Sequence, residues 1–239
     1  QAVSERGEAA PQWFTLAGDS IASAGDVNGA IRMYEQAHRV AQNPQSLARL
    51  VQAYLGARPP RLEQAAQALN GFNAATPDQQ FMVALLRARV EAVAGNARPA
   101  LQLLAQTWPH SGDHPAKTRI WFDQARAAFG SNMADFLAFV DQLPPQTPQG
   151  LNPAAKVILA TIRSGDPAQA VSALQTLVGI EDETSDPETL LALARVRGQI
   201  NYILGDYRAA ADAYRQGLTL SPDDPELNNN LAYTLAKHL

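Results

Sequence analysis

The stretch LALARVRGQINYILGDYRAAADAYRQGLTLSP, residues 191–222, decides how the chain is read. It predicts two short helices joined by one tight turn. Gly205 breaks the first helix, and Asp206 offers its carboxylate as N-cap to the second. Gly198 marks a place where one helix comes close to another, because it has no side chain to hold the neighbour away. Ala210 and Tyr214 stand four residues apart, so a small and a large side chain share one helix face. Pro222 ends the unit.

The same arrangement occurs near the start. Between Pro11 and Pro44, Gly18 precedes Gly25-Asp26 by seven residues, as Gly198 precedes Gly205-Asp206. Ala30-x3-Tyr34 answers Ala210-x3-Tyr214. The middle is looser. Gln45 to Phe72 reads helix, break, helix, with Ala65-x3-Leu69 and a turn lengthened by Arg58-Pro59-Pro60. Thr76-Pro77 opens a helix to about Ala94, Gly95-Asn96 breaks it, and Ala100-x3-Leu104 follows. Residues 109–115 (PHSGDHP) read as a loop. A helix carrying Trp121 and Phe129 comes next, then Gly130-Ser131-Asn132 and a second helix to Leu143. This unit has Asp135 where the others have Ala, which puts its packing in the common register in question. Residues 143–151 hold three prolines and form a candidate hinge. Asn152-Pro153 caps the next helix, Gly165-Asp166-Pro167 makes its turn, and Ala170-x3-Leu174 follows. Residues 180–188 (IEDETSDPE) read as an acidic linker ending in the cap Asp186-Pro187. Asp224-Pro225 opens a last helix, ELNNNLAYTLAKHL. Gly95, Gly130 and Gly165 fall 35 residues apart and Gly205 comes 40 later, the extra residues sitting in the acidic linker.

A small residue, an aromatic, Ala-x3-aromatic and a closing Pro at a period of roughly 34 residues resemble the tetratricopeptide (TPR) repeat family. The resemblance implies an all-α, right-handed superhelical solenoid of about six helical pairs plus a C-terminal helix. It would cover residues 11–239, with residues 1–10 as a flexible N-terminal segment lacking apolar periodicity. One helical pair cannot bury its apolar face alone, so stacked neighbours stabilise each other. In this family the first helices of successive pairs line a concave groove that takes an extended peptide or a partner's helix. Carried over by position, the groove residues are Gln52, Arg89, Gln124, Arg163, Arg195, Gln199, Tyr202, Asn229, Asn230 and Tyr233. The last six form the densest cluster. Arg and Tyr are favoured interface anchors, and Asn amides can hold a peptide backbone at both its donors and its acceptors. In the plainer alternative Arg and Gln are only solvated, and Tyr202 and Tyr233 only pack.

Composition bounds the function. The chain has 239 residues, 46% hydrophobic and only 7% aromatic, which suits thin, closely packed helices rather than one thick core. A net charge of -4 argues against a nucleic-acid partner. With no cysteine, disulfides, zinc-thiolate sites and Cys nucleophiles are excluded. No apolar run approaches the roughly 18 residues of a membrane span. The chain begins at Gln1 without Met and shows no signal peptide, the pattern of a piece of a longer protein.

Sites for chemistry are weighed and set aside. Gly18-Asp19-Ser20-Ile21 looks like the nucleophile block of GDSL hydrolases, but it lies inside a predicted helix rather than after a strand. His110 and His114, with Asp113 between them, have helical metal-ligand spacing, yet Pro109, Gly112 and Pro115 make that stretch a loop. Glu181, Asp182, Glu183, Asp186 and Glu188 lack the alternation and Gly of a calcium loop, so a solvated linker with a helix cap is expected. Trp108 and Trp121 are expected to pack between repeats. No cofactor, metal or catalytic residue is expected. The carboxylate clamp of TPR domains that grip acidic chaperone tails is not rebuilt, since Thr15 and Asp19 stand where it wants Lys and Asn. The closing ELNNNLAYTLA resembles bacterial TPR proteins, including envelope lipoproteins of polysaccharide-secretion systems, which points to the periplasm ahead of the cytoplasm. The sequence therefore predicts a non-catalytic protein-interaction scaffold. The alternative is a structural spacer or assembly arm of a larger protein, self-associating through its repeat ends.

Overall fold

The computed structural model describes residues 2–111, 114–130, 132–146 and 151–239, with side chains from Gln12 onward. Among these residues the chain is helical and has no strand. The α-helices are α1 (Ala2–Ser23), α2 (Val27–Val40), α3 (Pro44–Gly56), α4 (Leu62–Gly71), α5 (Pro77–Val93), α6 (Ala97–Thr107), α7 (Pro115–Phe129) and α8 (Met133–Val140). They continue as α9 (Pro153–Ser164), α10 (Ala170–Thr176), α11 (Ile180–Glu183), α12 (Pro187–Ile203), α13 (Tyr207–Leu220) and α14 (Pro225–His238). Six helical pairs and a C-terminal helix result, with α11 as a one-turn insertion before the sixth pair.

The helices form two compact units. The first comprises residues 1–108 and 123–143, the second residues 109–122 and 144–239. In the first unit, Leu47, Val51, Leu69 and Leu86 belong to one buried core that α2 to α5 share. In the second, Ala160, Ala173, Leu177, Leu193 and Ile200 form another. Thr118 ties the second unit together from inside. Its hydroxyl donates to the Ser111 carbonyl at 2.7 Å and accepts from the Asn152 amide at 2.7 Å, while the Asn152 oxygen caps α9 by accepting from the Ala155 amide at 2.9 Å.

The Gly-Asp turns do two jobs at once. Gly25 and Gly205 have φ of 87° and 80°, a backbone region that favours glycine. The amides of Asp26 and Asp206 then reach back to the carbonyls of Ile21 (3.2 Å) and Asn201 (2.9 Å), closing α1 and α12. Their carboxylates accept from the amides of Gly29 (2.8 Å) and Ala209 (3.0 Å), opening α2 and α13. Gly165 departs from this scheme, with φ −64°. Pro167 has no amide hydrogen to donate and leads a short 3-10 turn, Pro167–Gln169, so α10 starts only at Ala170.

Close approach at Gly18 and Gly198 is real. A Cβ on Gly18 would lie 2.6 Å from Cε1 of Tyr34, and one on Gly198 only 2.2 Å from Cε1 of Tyr214. Each tyrosine ring packs directly against its glycine. In the third pair Ala88 and Leu104 occupy the same two positions, both buried, so the larger small residue meets a smaller large one.

The fourth pair breaks the register. Ala30, Ala100, Ala170 and Ala210 are at most 3% exposed, whereas the equivalent Asp135 is exposed. One residue on, Phe136 (0%) and Val140 (4%) are buried instead. A carboxylate without a partner is costly to bury, and the next pair of residues four apart is apolar. The helix is therefore turned by about 100°, the step of one residue. Phe129 packs edge-on against Phe136, with ring centroids 5.5 Å apart.

Two expectations need correction. The acidic stretch 180–188 exposes Glu181, Asp182, Glu183 and Glu188 as expected, but it is more than a linker. It contains α11 with Ile180 fully buried, Glu181 accepts from Arg197 (2.8 Å) and Gln216 (2.9 Å), and Glu183 accepts from Lys156 (2.6 Å). An anchoring isoleucine, two basic side chains on α9 and α12 and the Gln216 amide on α13 fold it down. Its cap role is as read, with Asp186 accepting from the Thr189 amide at 2.9 Å. Residues 108–111 form a 3-10 turn where a loop is predicted. The helical run of α1 begins at Ala2. Of the candidate hinge 143–151, residues 147–150 lie outside the described residues.

Candidate functional site

The densest cluster of candidate residues lies where α12 and α14 flank α13. Two things hold α14 there. At its start, Asp224 accepts from the Leu227 amide at 3.0 Å and pairs with Arg195. That amide and, after it, the Arg195 guanidinium hold the Asp224 carboxyl below the usual carboxylate range. Leu227 is fully buried beside Gly217, where a Cβ would lie 2.6 Å from Leu227 Cδ1. At its end, the His238 ring stacks on Tyr207, 3.7 Å between centroids and 9° from parallel. His238 Nε2 also lies 3.0 Å from the Tyr202 hydroxyl.

Between these anchors lies a concavity of about 340 Å³ lined by Gln199, Tyr202, Asn230 and Tyr233, with Tyr214 and Glu226. Burial first, then the charge of Glu226, pushes the Tyr214 hydroxyl up to about 12, so it stays neutral. Lys237 Nζ donates to the Tyr233 hydroxyl at 2.6 Å, lowering that phenol's pKa and raising its own. The side-chain amides of Gln199, Asn229 and Asn230 make no hydrogen bond among the described residues. They are free donors and acceptors beside two tyrosine rings, a surface suited to a polypeptide backbone.

The ten candidates thus divide. Gln199, Tyr202, Asn230 and Tyr233 converge on one concavity, with exposed Asn229 alongside. Arg195 and Tyr202 also hold α14 in place. Arg163 donates to Thr176 on α10 at 3.3 Å. Gln52, Arg89 and Gln124 belong to the other unit and do not join the cluster. Arg89 is half-buried without an ion pair among the described residues, and burial lowers its pKa. Gln124 has a buried Oε1 with no hydrogen-bond partner. Sequence reasoning missed Tyr207, Tyr214, Glu226, Lys237 and His238 as members or supports of the site. The Tyr207–His238 stack joins residues 31 apart, and no local pattern announces it.

The set-aside stretches sit as follows. Gly18-Asp19-Ser20-Ile21 lies within α1, with Asp19 held by the Tyr34 hydroxyl at 2.6 Å and by Arg49 at 3.3 Å. His110 is in the 3-10 turn, and Asp113 falls outside the described residues. No helix among the described residues is long and apolar enough to cross a membrane.

Comparison with known proteins finds a repeat match in the C-terminal helices. The family model of the TPR repeat matches residues 198–238, from the middle of α12 through α14. Residues 198–238 are thus similar to a TPR repeat, within an all-α chain of repeated helical pairs. A solved TPR repeats protein from Bacteroides fragilis is 12% identical, with 95% of this chain and 98% of that one covered and a TM-score of 0.35. No curated protein sequence matches. TPR repeats as a class mediate protein–protein interactions, typically without catalysis.

Proposed function

We propose that this protein is a non-catalytic interaction scaffold that takes a peptide segment or helix of another protein on the α12–α14 face. The observation that carries this reading is the convergence of free amides at Gln199 and Asn230 with the rings of Tyr202 and Tyr233 around one concavity, with the free, exposed Asn229 amide alongside. Free backbone-binding groups beside amphipathic rings are what a polypeptide ligand requires.

The structure also guides the test. Arg195 and Tyr202 support α14, so their loss would confuse binding with folding. The informative variant is Gln199→Ala/Asn229→Ala/Asn230→Ala, whose side chains hold nothing else. The wild-type chain is used to select peptides from a random displayed library. Selected peptides should bind with affinities of about 10 μM or tighter and weaken at least about tenfold against the triple variant. No enrichment, or equal affinity for a variant of unchanged circular dichroism, defeats the reading.

A structural spacer or assembly arm of a larger envelope protein is the second reading. It is favoured by the outward stripe Ala232, Leu235 and Ala236 on α14, continued by Leu239 just past its end, all exposed at helical spacing. Leu235→Glu/Leu239→Glu should then change oligomeric state in sedimentation while leaving peptide binding intact.

A further inference from the structure

The turned helix α8 has a consequence in the first unit. Because Phe136 and Val140 take the buried positions, Asp135 and Ala138 are exposed beside α6, and Phe139 is half-buried against Phe129. They leave a cavity of about 460 Å³, walled by Leu101 and Leu104 on one side and by Phe129, Ala138 and Phe139 on the other. That volume lies in the range of about 300–1,000 Å³ typical of small-molecule sites. Asp135 is the one ionisable residue in its lining. Its carboxylate accepts from the Asn132 side chain at 2.5 Å, which fixes it at the rim. Its full negative charge outweighs the roughly half positive charge of the α8 N-terminus.

We propose that this cavity is a binding site for a small amphiphilic cation: an apolar body carrying one ammonium group. The apolar body occupies the leucine and phenylalanine walls. The ammonium pairs with Asp135 and lies against the Phe129 and Phe139 rings, whose faces attract cations. A neutral apolar molecule would leave the carboxylate partly desolvated and unpaired, and an anion would be repelled. This site is separate from the α12–α14 face and stands or falls independently of it.

The test is calorimetric titration with phenethylammonium, against 2-phenylethanol and 3-phenylpropionate as neutral and anionic controls. Phenethylammonium should bind at about 1 mM or tighter, at least about tenfold better than the alcohol, with the anion weaker still. Asp135→Asn keeps the size of the side chain and should lower cation affinity about tenfold, leaving the alcohol unaffected. Ala138→Trp, at an exposed wall position, should fill the cavity and abolish binding. Independently of any variant, ring protons of the ligand should show nuclear Overhauser effects to the methyls of Leu101 and Leu104. Equal binding of cation and alcohol, unchanged affinity in Asp135→Asn or Ala138→Trp, absent Overhauser effects, or no binding at about 10 mM would each overturn the proposal.

Discussion

In the sixth pair Gly198 meets Tyr214, whereas in the fourth Asp123 and Phe139 stand at the equivalent positions. The first combination packs shut: the ring fills the space that a missing side chain leaves. The second does not. Asp123 and Asp135 are both exposed, α8 turns so that Phe136 is buried, and a cavity opens beside α6. The two pairs share a turn glycine of positive φ, Gly205 and Gly130. The comparison teaches that the turn sets the hairpin, while the small-against-large pairing sets the rotation of its second helix. Volume at one position and charge at another are enough to change that rotation.

The sharpest way to break this comparison is to truncate the two phenylalanines of α8. Phe136→Ala should cost about 3–5 kcal/mol, the usual loss for a fully buried aromatic, and Phe139→Ala clearly less. Chemical denaturation followed by circular dichroism measures both. A larger loss at Phe139 would mean that α8 sits in the common register after all. The sixth pair offers the converse experiment. Gly198→Ala should cost about 1–3 kcal/mol by overpacking against Tyr214, even though Ala is the better helix former by roughly 1 kcal/mol. Adding Tyr214→Leu should recover part of that loss, because Ala88 and Leu104 already coexist in the third pair. Losses that simply add would show that ring and glycine are not coupled.

Smaller effects separate the polar ends of the two units. In the second unit, Lys237→Met should raise the Tyr233 phenol pKa, since the lysine's hydrogen bond is the main cause of its depression. Ultraviolet titration of the tyrosines against wild type would show the shift, and an unmoved curve would remove Lys237 from the site's electrostatics. In the first unit, burial lowers the pKa of His38, whose Nδ1 lies 2.8 Å from the Ser46 hydroxyl. The unfolded chain therefore takes up this proton first, as pH falls through about 6.5. Stability from a neutral His38 is present above that pH and lost below it. His38→Gln should show a smaller fall in melting temperature between pH 7 and pH 5 than wild type; an equal fall would exonerate His38.

Much of the candidate site was legible, though for uneven reasons. Tyr202, Gln199, Asn230 and Tyr233 were placed by position from the resemblance to TPR repeats, and they line one concavity. Arg163 and Arg195 carry the same kind of positional warrant, yet Arg163 reaches Thr176 and Arg195 reaches Asp224. A long flexible guanidinium goes to the nearest acceptor in space, which position along a helix does not name.

By itself the sequence determined the helical pairs, their turns and their number. Those depend on residues within a few positions of one another: a glycine able to take positive φ, an aspartate able to cap, and apolar spacing along one face. Only the tertiary structure decided that α8 is turned, that the acidic stretch 180–188 is strapped down by Lys156, Arg197 and Gln216, and that His238 stacks on Tyr207 to hold α14 over its concavity. These outcomes depend on burial and pairing between residues far apart in the chain, where the cost of desolvating a charge or leaving a ring unpacked is settled by neighbours that the sequence does not place side by side.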